Sequence, residues 1–211
     1  MKIGHEVSSA GDRFIAALAS TRLPDVSTRQ ELGEETLNDS GIIRMWEDFA
    51  ASYGWAPKAE FQQIARGGPE DMLWLWCMHS LWTDASCTDP LATICRPGYT
   101  LKTNGKRFER WLWYKGGKQR QRADIACFLG STTHPVHALF CELAFVPGAP
   151  SRPEDHKDYT KIAGLSTRLP VTHVLIDGTL SPRAVATRTD FQLSSGEQAA
   201  YLVVTRVSRK Q

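Results

Sequence analysis

Residues 107–145 read RFERWLWYKGGKQRQRADIACFLGSTTHPVHALFCELAF, and their punctuation predicts three consecutive strands. A Gly116-Gly117 turn divides the first strand from the second, and the loop from Gly130 to Pro135 divides the second from the third. The strands are expected near 107–115, 121–129 and 136–145. Asp124 opens the second apolar run, and Glu142 sits inside the third. A buried carboxylate without a partner is costly, so acids are rare in apolar strands. Two of them on neighbouring strands point to a place where a cation offsets that cost. Side chains alternate faces along a strand, so Asp124 aligns with Ala126 and Phe128, and Glu142 with Phe140 and Ala144. Antiparallel pairing of the two strands brings the carboxylates together. Two adjacent carboxylates suit a hard divalent cation such as Mg²⁺ or Mn²⁺. Such an ion activates water and neutralises charge developing on a phosphate. The competing reading pairs each acid with its own basic neighbour, Asp124 with Arg122 for instance.

Upstream of this stretch the pattern is helical. Residues 10–20 are expected to form a short helix, followed by the linker TRLPDVST, where Asp25, Ser27 or Thr28 can cap the next helix. From Arg29 to Tyr53, Leu32, Leu37, Ile42, Ile43, Trp46, Phe49 and Ala50 fall at helical spacing, with a break near Asn38 to Gly41. Pro57 to Arg66 reads as a further short helix, ended by Gly67-Gly68. Pro69-Glu70-Asp71 then starts a helix with acids at its positive end. The run MLWLWCMHSLW is apolar all round, as in a buried helix. Residues 84–98 read as irregular loop, and Tyr99 to Lys102 as a short strand.

Downstream, VPGAPSRPED is a Pro-rich loop and 153–166 reads as a helix with Pro153, Glu154 and Asp155 in its first turn. VTHVLID, Val171 to Asp177, is near-continuously apolar, as in a sheet covered on both faces. Ser181 to Thr189 reads as helical, and Ala200 to Val207 as a last strand. The expected fold class is α/β with a mixed sheet flanked by helices. A helical N-terminal region, 1–68, precedes an α/β domain, 69–211.

The bulk properties narrow the classes. A chain of 211 residues, 42% hydrophobic, can build a sizeable core. It has no run of eighteen apolar residues, so no membrane span is expected, and no secretory signal is visible in MKIGHEVSSAGDRF. Five cysteines, two of them in apolar strands at 127 and 141, read as free thiols of a reducing, cytoplasmic protein. The net charge of +2 conceals an asymmetry. Residues 101–122 carry Lys102, Lys106, Arg107, Arg110, Lys115, Lys118, Arg120 and Arg122 against one acid, Glu109. Residues 31–48 are acidic in turn, with only Arg44 basic. The basic stripe is either a solvated hairpin edge or a contact for an anionic partner. Its interleaved Phe108, Trp111, Trp113 and Tyr114 favour nucleic acid.

The acids and their order along the chain resemble the PD-(D/E)XK, or restriction-endonuclease-like, nuclease family. The resemblance covers roughly residues 69–177. It rests on Arg122-Ala123-Asp124-Ile125 and Phe140-Cys141-Glu142-Leu143-Ala144. These are followed by Asp155, His156, Lys157, Asp158, Tyr159 and Lys161, then the strand VTHVLID. The resemblance implies a mixed four-stranded core sheet flanked by helices and metal-dependent cleavage of DNA. It also implies metal binding by Asp124 and Glu142, joined by Glu70 from the preceding helix. The sequence departs from the family pattern at Ala144, where the family carries the lysine that positions water, and at Ala123, where it carries proline. Lys161, ahead of Lys157, is the expected replacement for that lysine. Lys106, Arg107, Arg110, Lys118, Arg120 and Arg122 are the expected contacts to DNA phosphates. The rival expectation, supported by Ala144, is a catalytically silent domain of the same fold that binds nucleic acid, a protein partner or a second copy. A module serving protein interaction alone, through the aromatic helical half, is the third.

Other groupings are weaker. Cys77, His79, Cys87 and Cys95 match no common zinc spacing, and buried thiols with a packed histidine are the simpler reading. His137 and Cys141 share a strand face, but roughly 13 Å of strand separates them, too far for a nucleophile and its base. His134 and His137 could approach a metal, and His156 could support the site or move a proton beside Lys157.

Overall fold

A computed structural model describes residues 2–52, 61, 66–84, 92–97, 113–114, 121–130, 135–150, 152–163 and 170–207. The first helix, α1, spans Lys2–Ala19, longer than the 10–20 segment expected. Helix α2, Arg29–Asn38, begins at Thr28 through a capping box. Glu31 N–H donates to Thr28 Oγ1 at 3.1 Å, and Thr28 N–H donates back to the Glu31 carboxylate at 2.7 Å. The expected break falls at Asp39, whose Oδ1 takes the Ile42 N–H at 2.7 Å and starts α3, Ser40–Ser52. Of the helix expected at 57–66 only Phe61, which is helical, and Arg66 are described, and the strand expected at 99–102 lies outside the described residues. Helix α4, Pro69–Thr83, begins at the predicted proline. Leu73, Leu75 and Cys77 in it have no exposed surface, which is why its apolar residues show no sidedness.

The strands are β1 (Ala92–Pro97), β2 (Trp113–Tyr114), β3 (Gln121–Arg122), β4 (Ile125–Gly130), β5 (Pro135–Phe145), β6 (Val171–Thr179), β7 (Thr187–Gln192) and β8 (Gln198–Thr205). Among the described residues they form a six-stranded sheet, ordered β1-β4-β5-β6-β8-β7, and a separate β2-β3 pair. The main sheet is mixed. Pairs β1-β4, β4-β5 and β7-β8 are antiparallel, while β5-β6 and β6-β8 are parallel. Between β5 and β6 the chain forms a short 3-10 turn, Pro153–Asp155, and helix α5, Tyr159–Ala163.

Alternation sorts the sheet into two faces. Leu139, Cys141, Leu143, Val174, Ile176 and Leu202 join Phe14, Leu18, Trp46 and Leu73 in one buried cluster beneath α1, α3 and α4. Ala138, Phe140, Leu175, Tyr201 and Val203 join Ile162 of α5 in the other. Strand β6 is therefore buried on both sides, as its apolar run predicts. Helices flank the sheet, so the α/β class holds. Among the described residues no helix is long and apolar enough to cross a membrane.

Three expectations are corrected. The partner of β4 on its outer side is β1, within the segment 84–98 expected to be loop. Flanking Pro90 and Pro97 disguise the short β-prone run ATIC. The chain at 113–114 instead pairs with 121–122, outside the main sheet. Residues 187–189, the end of the segment 181–189 expected to be helical, instead begin the edge strand β7. Five of its six residues are exposed, so no apolar alternation marks it, and the hairpin to β8 is closed by Gly196 at φ +88°. The helix expected over 153–166 is divided, with His156 taking a backbone hydrogen bond between its two parts.

Candidate metal centre

The β4-β5 register pairs Ile125 with Cys141, which sets Asp124, one residue before β4, across from Glu142. Asp124 N–H continues the ladder by donating to the Cys141 carbonyl at 3.0 Å. Its side chain then replaces the strand. Leu143 N–H donates to Asp124 Oδ2 at 2.8 Å, and the Trp74 indole of α4 donates to the Asp124 carbonyl at 3.2 Å. The residue is thereby held from two elements, its carboxylate by β5 and its main chain by α4.

Glu142 lies on the α5 face and is 1% exposed. One of its oxygens, Oε2, is 2.7 Å from Lys161 Nζ of α5. The other, Oε1, is buried without a hydrogen-bond partner. Asp158, at the start of α5, approaches the same lysine at 3.6 Å. Asp124, Glu142 and Asp158 each offer an oxygen, all within 4.8 Å of one another. Burial pushes the Glu142 carboxyl up to about 8. Lys161 opposes that rise, while Asp124 and Asp158 add to it. Burial also raises Asp124, against the Leu143 N–H and Lys161.

Three carboxylates surround the Lys161 ammonium, Lys157 acts on Asp124 and Asp158 from beside them, and one buried oxygen has no donor among the described residues. An oxygen-only set of this kind fits a hard divalent cation. The cation would satisfy Oε1 and offset the burial that, with the neighbouring acids, favours the protonated form of Glu142. A cleft of about 350 Å³, lined by Arg29, Glu70, Asp71, Trp74, Asp124 and Phe145, leads to the site.

The predicted residues are placed as follows. Asp124, Glu142 and Lys161 converge. Glu70 stands beside the cluster, paired with Lys157 Nζ at 2.5 Å, each side chain about half exposed. Burial pulls the Lys157 amine down, but the Glu70 contact outweighs it and the net shift is upward. This pair ties the start of α4 to the segment before α5. Lys106, Arg107, Arg110, Lys118 and Arg120 lie outside the described residues. Arg122 is placed only by its backbone, in β3 opposite Trp113. His137 is drawn to Thr172 Oγ1, 2.9 Å away on β6. Cys77 and Cys141 are buried thiols not joined in a disulfide, and burial pushes the Cys77 thiol up to about 12.

Asp158 was not singled out as a ligand from the sequence. Its signal was its position three residues before Lys161, which puts both on one side of a helical turn. No protein-family model matches this chain, and no curated protein matches it in sequence.

Proposed function

We propose that this protein is a metal-dependent phosphodiesterase acting on DNA, with a restriction-endonuclease-like fold. The convergence of Asp124, Glu142 and Asp158 beside Lys161 carries this reading. The order of elements supports it. A helix precedes the three strands β1, β4 and β5, and a short helix and β6 follow. Asp124 and Glu142 sit at the positions that the sequence resemblance marks for metal binding. In this proposal the three carboxylates hold Mg²⁺ or Mn²⁺, with Asp158 in the place first expected of Glu70. The bound ion supplies activation of water and neutralisation of phosphate charge.

The chain's own groups have separate tasks. The Leu143 N–H and the Trp74 indole hold Asp124 in one orientation. Lys161 stands where the missing lysine of Ala144 would act, and its ammonium orients the attacking water. The cleft beside Asp124 admits the strand, and the 106–122 stripe contacts its phosphates.

Asp124→Ala and Glu142→Ala are each expected to abolish Mg²⁺-dependent cleavage of linear and supercoiled DNA, while circular dichroism shows the fold retained. Full activity in either variant would reject the assignment. Ala144 favours a second reading, a silent domain of this fold that binds DNA, a protein or its own copy. Metal titration separates the two: a silent domain binds no divalent ion at the carboxylates yet keeps salt-sensitive DNA affinity.

A further inference from the structure

Behind the carboxylates lies a buried polar cluster that the proposed reaction does not use. His156 is 3% exposed and Asp177, on β6, is 2% exposed. His156 Nδ1 accepts the Asp158 N–H at 3.1 Å. The ring hydrogen therefore sits on Nε2, which faces the Ile176 carbonyl at 3.4 Å and Asp177 Oδ1 at 3.9 Å. Asp177 Oδ2 accepts the Tyr201 hydroxyl at 2.8 Å, from β8. Tyr201, Asp177 and His156 thus line up from the interior of the sheet toward the backbone of Asp158, with no hydrogen bond between Asp177 and His156. Among the described residues Asp177 Oδ1 has no hydrogen-bond partner although it is buried. Such an orphan is costly and calls for a reason.

His156 is also where the helix expected over 153–166 divides. Its Nδ1 takes the Asp158 N–H, the Tyr159 N–H returns to its carbonyl at 3.0 Å, and α5 begins. The direction of the Asp158 side chain depends on that turn.

We propose that His156, held at Nε2 by the Ile176 carbonyl and facing Asp177, is the positioning residue that aims Asp158 at the metal centre. The inference rests on the metal-binding reading above. Groups behind metal ligands orient them, and their loss weakens metal affinity about 10–100-fold. The Nδ1 acceptor carries the effect. Asparagine places Oδ1 the same number of bonds from Cα as histidine places Nδ1, so it can take the Asp158 N–H. Glutamine carries its oxygen one atom too far.

The test is calorimetric titration of the full chain with Mn²⁺, with melting of the metal-free proteins recorded beside it. His156→Ala and His156→Gln are expected to weaken Mn²⁺ binding about 10–100-fold. His156→Asn is expected to bind close to wild type, whatever stability it loses. The proposal is overturned if His156→Ala keeps full affinity while melting earlier, because His156 would then be merely structural. It is also overturned if Asn and Gln weaken binding equally. Should His156→Ala fail to fold, the Asn and Gln pair alone decides. A wild-type protein that binds no Mn²⁺ would sink the metal reading itself, a failure visible before any variant is made.

Discussion

Lys161→Met removes the ammonium from Glu142 while keeping a flexible stem of similar bulk. Glu142 is almost wholly buried, and Lys161 is 18% exposed, its Nζ 2.7 Å from Oε2. Removing one partner of a buried ion pair costs about 3–5 kcal/mol when the other stays charged. Glu142 can avoid that cost by holding a proton. Its carboxyl stands at about 8, above its unfolded value, so folding already favours the protonated form. The sign follows. Stability from this group is undiminished below the unfolded value, falls as pH rises, and levels off above about 8 in the wild type. Without Lys161 the folded value moves further up, so the fall continues past that point. Between pH 5 and 7 the variant should lose only packing, within about 1 kcal/mol. Above pH 8 the difference should widen by about 1.4 kcal/mol per pH unit until the new folded value is passed. Urea unfolding of both proteins at pH 6, 7, 8 and 9 measures it. A destabilisation that is the same at every pH would refute the electrostatic account of this pair. In the cleavage assay the same variant should lose about 10²–10⁴ in kcat, as for loss of a proton-handling group, while still binding metal.

Metal affinity should itself depend on pH. Burial raises Glu142 to about 8, so a cation must displace a proton from it below that pH. Mn²⁺ binding should tighten about tenfold per pH unit per displaced proton up to about 8, then flatten. A flat profile from pH 6 to 8 would show that Glu142 is not protonated in the free protein. Gly178→Ala places a methyl 2.9 Å from Leu73 Cδ2 and 3.1 Å from Phe145 Cδ2, between β6 and α4. Thermal unfolding should show a loss of about 1–3 kcal/mol, and wild-type stability would mean that the Leu73 and Phe145 side chains shift aside without cost.

The helical half was legible because its signals are local. Thr28 with Glu31, the Asp39 break and Pro69-Glu70-Asp71 each act within a few residues of themselves. Val171 to Asp177 was legible because a strand covered on both faces keeps mostly apolar residues, and its burial is nearly continuous. Strands β1 and β7 were missed for the opposite reason. Edge strands need no apolar alternation, and β1 is additionally framed by prolines.

For the site, the sequence alone determined that Asp124 and Glu142 lie in strands where an unpartnered charge is costly, and that lysines follow at 157 and 161. Strand alternation then confined each acid to one face. Only the tertiary structure decided which groups complete the cluster. The start of α5, held by His156, brings Asp158 and Lys161 to Glu142, and Lys157 turns instead to Glu70 at the start of α4. Those choices depend on how a helix seats on a sheet many residues away in sequence. That is a property of packing between elements, which the pattern within any one element does not encode.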